Sequence, residues 1–222
     1  MGTVVPLSDA TRRPRHFPAV TVLVILINVV VFVAELTRGD AFVLQWSVVP
    51  ANIVAGRHWV TTLTAMFLHG SWSHIIGNMV FLWAFGPEVE DAMNPLRFSA
   101  FYLVGGLVAM LSQVVADPNS TVPNLGASGA IAAVMGAFLG TYPHDRMRSL
   151  LVIFVFVRVT LIPAALLIVV WFLMQLLNAG AIANVQTGGV AYLAHVGGCI
   201  FGAVAARWFR DPERIAEQQW SE

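Results

Sequence analysis

The sequence has no lysine and a single cysteine, Cys199. One thiol excludes an internal disulfide framework and a cysteine-built zinc site. Cys199 stands in an apolar run and reads as packing. Charge of either sign is scarce: 11% of the 222 residues are charged, against roughly 25% in ordinary soluble domains. The 12 basic and 12 acidic side chains balance to zero, so the basic footprint that nucleic-acid binding requires is missing. Apolar residues fill the space, at 58% of the chain, with a mean hydropathy of +0.76. A soluble domain of this length has too little interior to hide so much apolar surface. The composition is that of a polytopic membrane protein.

Six apolar segments follow one another at 17–34, 73–85, 98–115, 128–142, 159–178 and 190–206. The first and third are 18 residues without a charge. At 1.5 Å per residue such a helix is about 27 Å long, close to the ~30 Å hydrocarbon core. A cleaved signal peptide is the competing reading of the first segment, and its length and the spans that follow argue against it. Residues 38–71 are mixed. The amphipathic stretch from Trp59 to Leu68 is expected to lie in the membrane interface, with Trp46, Trp59 and Trp72 as anchors. Gly86-Pro87 and the acidic cluster Glu88, Glu90 and Asp91 read as a solvated turn closing the second span. The apolar run 150–157 precedes the fifth span, and Arg158 between them is expected to snorkel toward the cytoplasm. Ten of the twelve arginines fall on one side of this arrangement, and only Arg38 and Arg57 on the other. The positive-inside rule then puts both termini in the cytoplasm. The expected fold is an all-α membrane protein of six transmembrane helices. Residues 1–16 and 209–222 are its cytoplasmic tails, and 17–208 its six-span domain.

Polar groups inside a membrane are costly, so the few present are functional candidates. No Asp or Lys lies within the six segments, and His-Glu-x-x-His is absent. Paired-aspartate proteolysis, zinc metalloproteolysis and carboxylate-based proton coupling all lose their usual residues. What remains is sparse. His195 lies in the sixth span. His74 and Asn78, four residues apart and so on one helix face, open the second, with His69 just before. Gly126-Ala127-Ser128-Gly129 opens the fourth. Each lies near the outer end of a span running inward. His195 lies about 7 Å into its span, and the short fourth span, ~22 Å long, sinks Ser128 to a similar depth.

A serine hydroxyl beside an imidazole, with hydrogen-bond donors nearby, is a set of parts for acyl transfer. Ser128 would be the nucleophile and His195 its base. His74, the Asn78 amide and the free N–H groups at the start of the Ser128 helix are available for an oxyanion. No acid is placed by sequence to orient His195, so the machinery is a dyad rather than a triad. Ser128, Ala132, Gly136 and Gly140 form one small-residue face, and Gly198, Gly202 and Ala206 another. Faces of this spacing let membrane helices touch.

His69-x4-His74-x3-Asn78, Gly86-x3-Glu90, Gly126-Ala-Ser128-Gly129 and Ala194-His195-x2-Gly198-x3-Gly202 together resemble the motifs of the rhomboid family of intramembrane serine proteases, over nearly the whole chain. The resemblance implies a rhomboid-like bundle, bacterial in type. It implies Ser128 and His195 as the catalytic dyad and His74 and Asn78 as transition-state stabilisers. His69, Gly126, Gly129, Gly198 and Gly202 are implied as supporting positions, and Glu90 as a structural one on the cytoplasmic side. It implies no cofactor and no metal. The substrates implied are transmembrane helices that enter sideways and unwind locally, with a small side chain beside the cut. Span five and the loop 179–189, with Pro163 and Gly188-Gly189, are the candidate gate. The sequence departs from the family in two places. Arg57-His58-Trp59 replaces the Trp-Arg pair common in the first loop. Ala132 stands four residues after Ser128, where some relatives carry an aromatic, so another group must hold the His195 ring.

Two other classes remain: a rhomboid-like membrane-helix binder or chaperone without activity, and a histidine-lined metal permease. The expected setting is the bacterial plasma membrane, with membrane-protein substrates and the bilayer as partners. Substrate and oligomeric state are not written in the sequence.

Overall fold

The computed structural model describes residues 2–153, 155–182 and 191–220. The chain opens with strands β1 (Gly2–Asp9) and β2 (Arg12–Arg13), followed by helix α1 (Ala19–Arg38). The short helices α2 (Asp40–Trp46), α3 (Pro50–Val54) and α4 (Thr61–Thr64) and a 3-10 turn at Ala65–Phe67 follow. Next come α5 (Trp72–Met93), α6 (Pro95–Ala116), α7 (Ser128–Thr141), β3 (Arg146–Ile153) and β4 (Phe156–Pro163). The last elements are α8 (Ala164–Ile182), α9 (Tyr192–Phe209), α10 (Pro212–Glu217) and β5 (Gln219–Trp220). Among the described residues two helices, α1 and α6, are long and apolar enough to cross a membrane; α7 and the 164–179 part of α8 are shorter apolar helices.

The protein is mostly helical but not all-α. β1, β3 and β4 form an antiparallel sheet in that order, and β2 pairs with β5. Residues 150–153 and 156–157 of the apolar run, and the first five of the expected fifth span, 159–163, therefore lie in strands β3 and β4, and α8 starts only at Ala164. The cause is local. Val157, Val159, Thr160 and Ile162 are β-branched and fit a pleated strand. Pro163 fixes φ and lacks a donor, which suits a strand end before a helix. Arg158 is exposed in this strand.

The acidic cluster is not a solvated turn. α5 runs through Gly86-Pro87 to Met93, and Glu88, Glu90 and Asp91 are all buried. Burial of Glu90 and Asp91 is matched by bonding, whereas Glu88 Oε2 has no partner among the described residues. Glu90 accepts from the backbone N–H groups of Val20 and Thr21 at 2.8 and 2.7 Å and from the Thr21 hydroxyl at 2.8 Å. These are donors that the first turn of α1 cannot pair internally. Asp91 does the same for the chain entering α1, accepting from Arg15 N and His16 N.

The centre of the bundle is α7, buried from Gly129 through Phe138 and enclosed by α5, α6 and α9. It approaches α9 most closely, because glycine permits it. A Cβ on Gly198 would overlap the Gly129 carbonyl, and one on Gly202 the Ala133 carbonyl. This backbone contact fixes α7 and α9 relative to each other, and with them the two side chains near their N-terminal ends.

Candidate active site

Ser128 is the first residue of α7 and His195 the fourth of α9. The Ser128 hydroxyl donates to His195 Nε2 across 2.6 Å. His195 is 7% exposed, sunk among the helices rather than presented at the surface. Its other ring nitrogen is engaged as well: Nδ1–H donates to Gln175 Oε1 of α8 at 2.8 Å. Gln175 is also buried, and its amide nitrogen donates to the Trp171 carbonyl at 3.3 Å, which turns the amide oxygen toward the imidazole. The ring that Ala132 leaves uncovered is flanked by Trp171 at 5.6 Å between centroids, tilted 37°, and by Tyr192 edge-on at 6.4 Å.

The loop before Ser128 is held from the 38–71 segment, which does more than lie at an interface. Val48 and Asn124 exchange two backbone hydrogen bonds, at 2.9 and 2.7 Å. Gly126 N–H donates to the Ala65 carbonyl at 2.8 Å. Gly126 has φ +126°, a region that L side chains rarely adopt. It also has a neighbour: a Cβ there would lie 2.8 Å from His74 Nε2 and 3.5 Å from Ser128 Oγ. His74 and the serine hydroxyl therefore flank one point in space.

His74 lies in the first turn of α5, where its N–H is capped by Ser71 Oγ at 3.2 Å. Its ring stands edge-on to that of His69, 5.0 Å away. The Asn78 amide nitrogen donates to His69 Nε2 at 2.9 Å, and both side chains are buried. His69 is anchored in turn, its backbone N–H donating to both carboxylate oxygens of Glu35 at 2.9 and 3.1 Å. Thus Ser128, His195 and His74 converge directly, whereas Asn78 is held one layer back by His69. Gly129 and Gly198 meet at the helix contact beneath, with Gly202 one turn further along α9. Sequence reasoning missed Gln175, Trp171 and Glu35. Gln175 carried one available signal, as one of two neutral amides, with Asn178, in an apolar span.

A cavity of about 10 Å³ adjoins Ser128, lined by Met66, Gly106, Met110 and Gly126 among others. That is on the order of one water. Among the described residues no group of three or more His, Cys, Asp or Glu could hold a metal ion. The Gly188-Gly189 pair and most of the proposed gate loop lie outside the described residues.

A helical protein with apolar, membrane-length helices, and a half-buried serine hydrogen-bonded to a buried histidine on the next helix but one, belongs to a narrow class. Residues 56–211 match the rhomboid domain, and the chain belongs to the rhomboid family, one of integral membrane proteins. It is 28% identical over 193 residues to the rhomboid protease GluP of Bacillus subtilis, covering 85% of this chain and 34% of that one. It is 30% identical over 184 residues to the rhomboid protease GlpG of Salmonella typhi, covering 81% and 63%. It is 28% identical over 184 residues to rhomboid protein 1, mitochondrial, of Saccharomyces cerevisiae, covering 80% and 49%. The chain thus spans between a third and two-thirds of the length of these relatives.

Proposed function

We propose that the protein is an intramembrane serine endopeptidase that cuts transmembrane segments of other membrane proteins, with Ser128 as nucleophile and His195 as general base. The observation that carries this is the 2.6 Å hydrogen bond from the Ser128 hydroxyl to His195 Nε2. Ser128 Oγ attacks the scissile carbonyl carbon as its proton passes to Nε2. The carbonyl oxygen takes up negative charge beside the Ser128 N–H, unpaired at the start of α7, and beside His74. The second N–H of the Asn78 amide, the first being given to His69, is the remaining donor. The tetrahedral species collapses, the leaving amine takes the proton from Nε2, and an acyl-serine ester remains for water to hydrolyse.

The membrane setting follows the same reading. Six spans at α1, α5, α6, α7, α8 and α9 place both termini on one side, and the β2–β5 pairing of the two chain ends supports an even number of crossings. The arginine bias favours the cytoplasm for that side, and the family resemblance favours a bacterial plasma membrane. Residues 17–208 would be the protease domain, flanked by the tails 1–16 and 209–222. A substrate helix must open locally, because paired helical amides hide the scissile carbonyl.

The test is cleavage of a transmembrane substrate by the protein in proteoliposomes. Cleavage by the wild type that is lost in Ser128→Ala and in His195→Ala is expected. Unchanged cleavage by either variant contradicts the mechanism. The cavity beside Ser128 adds a second expectation: exchanging a small residue before the cut for phenylalanine lowers kcat/KM about 5- to 150-fold, since overfilling a packed site costs about 1–3 kcal/mol. Equal turnover of the two substrates would assign the cavity no part in selection.

A further inference from the structure

The geometry points to Gln175 as the residue that sets the tautomer and orientation of His195, an inference that rests on the Ser128/His195 reading above. A neutral imidazole has one N–H and one lone pair, and only the form with its lone pair on Nε2 can take the serine proton. That form needs an acceptor for the proton on Nδ1. Gln175 Oε1 lies 2.8 Å from Nδ1, and it is the amide oxygen that faces the ring, because the amide nitrogen is committed to the Trp171 carbonyl. Gln175 is 8% exposed, so water does not readily substitute for it.

The arrangement fills the place an acid holds in a triad, with a different consequence. The amide accepts the Nδ1–H bond through the whole cycle but cannot take the proton, which stays on Nδ1 while Nε2 gains and returns the one from Ser128. It supplies a dipole in place of a full charge, without the cost of a buried carboxylate. The ring is held from the same helix, by Trp171 one turn before Gln175. Both contacts belong to α8, so the basicity and aim of His195 depend on α8 being seated against α9. Five side chains face the imidazole: Ser128 from α7, Gln175 and Trp171 from α8, Tyr192 from its own helix, and His74 across the site from α5.

Gln175 is thus a positioning residue, and two substitutions distinguish positioning from packing. Gln175→Leu keeps the volume and removes the acceptor. Gln175→Glu keeps the acceptor and introduces an acid into a buried site. If Gln175 positions His195, kcat for cleavage of a reconstituted transmembrane substrate falls about 10- to 100-fold in the leucine variant, with KM within about twofold, and returns to within about threefold of wild type in the glutamate variant. If Gln175 only packs, leucine is the better tolerated of the two. Leucine activity at or above that of glutamate would overturn the proposal, as would a loss confined to KM. Should the leucine variant fail to fold, the glutamate variant decides alone: near-wild-type kcat supports positioning, and a loss beyond tenfold opposes it. Labelling of Ser128 by a fluorophosphonate, measured alongside, separates this from the underlying reading. A wild type inert at Ser128 would bring down the dyad itself, whereas a reactive serine with the packing order of activities would bring down only the role of Gln175.

Discussion

Ser128 and His195 lie 67 residues apart in the chain and one hydrogen bond apart in space. Neither could act without residues that do no chemistry. Gly126 lets the loop turn under His74, and His69 holds Asn78 through Nε2. In the proposed mechanism Asn78, anchored before any substrate arrives, needs no reorganisation of its second N–H as charge develops. Replacing it with alanine is expected to lower kcat about 10²-fold with little change in KM, the usual cost of one oxyanion donor. A rate within twofold of wild type would leave Asn78 a purely structural role. Ser128, His195, His74 and Asn78 were legible in the sequence because polar groups are rare in apolar spans and these stand at motif spacing. Gln175 and Trp171 were not, since their partner is on another helix, 20 residues beyond Gln175, and nothing within α8 marks the spacing.

At the scale of elements, the site depends on helices touching at the backbone. The Gly198 and Gly202 contacts of α9 with carbonyls of α7 leave no room for a side chain. Gly198→Val is expected to destabilise the protein by about 1–3 kcal/mol, seen as a lowered midpoint of unfolding, and to separate Ser128 from His195. Removing the Glu90 carboxylate strands three donors at the start of α1, one of them a hydroxyl. Glu90→Ala should cost about 2 kcal/mol in the same assay, though Glu90 lies far from the chemistry in sequence and role. No change in either midpoint would contradict this account of the packing. The small-residue faces could be read from four-residue spacing alone. The β3–β4 hairpin could not, because hydropathy ranks a strand of Leu, Val, Ile and Phe with a membrane span. The alternation of β-branched residues and the proline at its end carry the distinction. The buried course of α5 past Pro87 was hidden for a related reason: carboxylates in a row suggest water until the donors they cap are seen.

At the scale of the molecule, both ends of the chain close over one end of the bundle. Arg12 pairs with Asp145 and stacks on Tyr142, whose hydroxyl donates to Gln218 near the C-terminus. Arg214 donates to the Asp91 carbonyl, next to the N-terminal residues that the Asp91 side chain holds. Asp9 lies at the end of β1 in this cluster. Burial, aided by the neighbouring Asp145 carboxylate, pushes its carboxyl from 3.8 up to about 7. Folded Asp9 therefore keeps its proton where an unfolded aspartate has lost it. Its contribution to stability is whole below about pH 4 and is lost as the pH rises through about 7. Amide exchange in β1, corrected for intrinsic rates, should be faster at about pH 8 than at about pH 5.5, and Asp9→Asn should remove the difference. Equal protection at both pH values would place the proton elsewhere. The membrane character of the family was legible in the apolar content, which reflects the cost of charge in hydrocarbon. How the tails fold against the bundle was not, since it rests on pairings between the two ends of the sequence.

The central claim is that His195 activates Ser128, and the most direct measurement is the intact mass of the reconstituted protein after a serine-directed fluorophosphonate. In that reaction the Ser128 oxygen bonds to phosphorus and fluoride leaves. The account predicts one adduct, mapped to Ser128, absent in Ser128→Ala and strongly slowed in His195→Ala. Labelling at Ser128 that is indifferent to His195, or no labelling of a folded wild type, would contradict it.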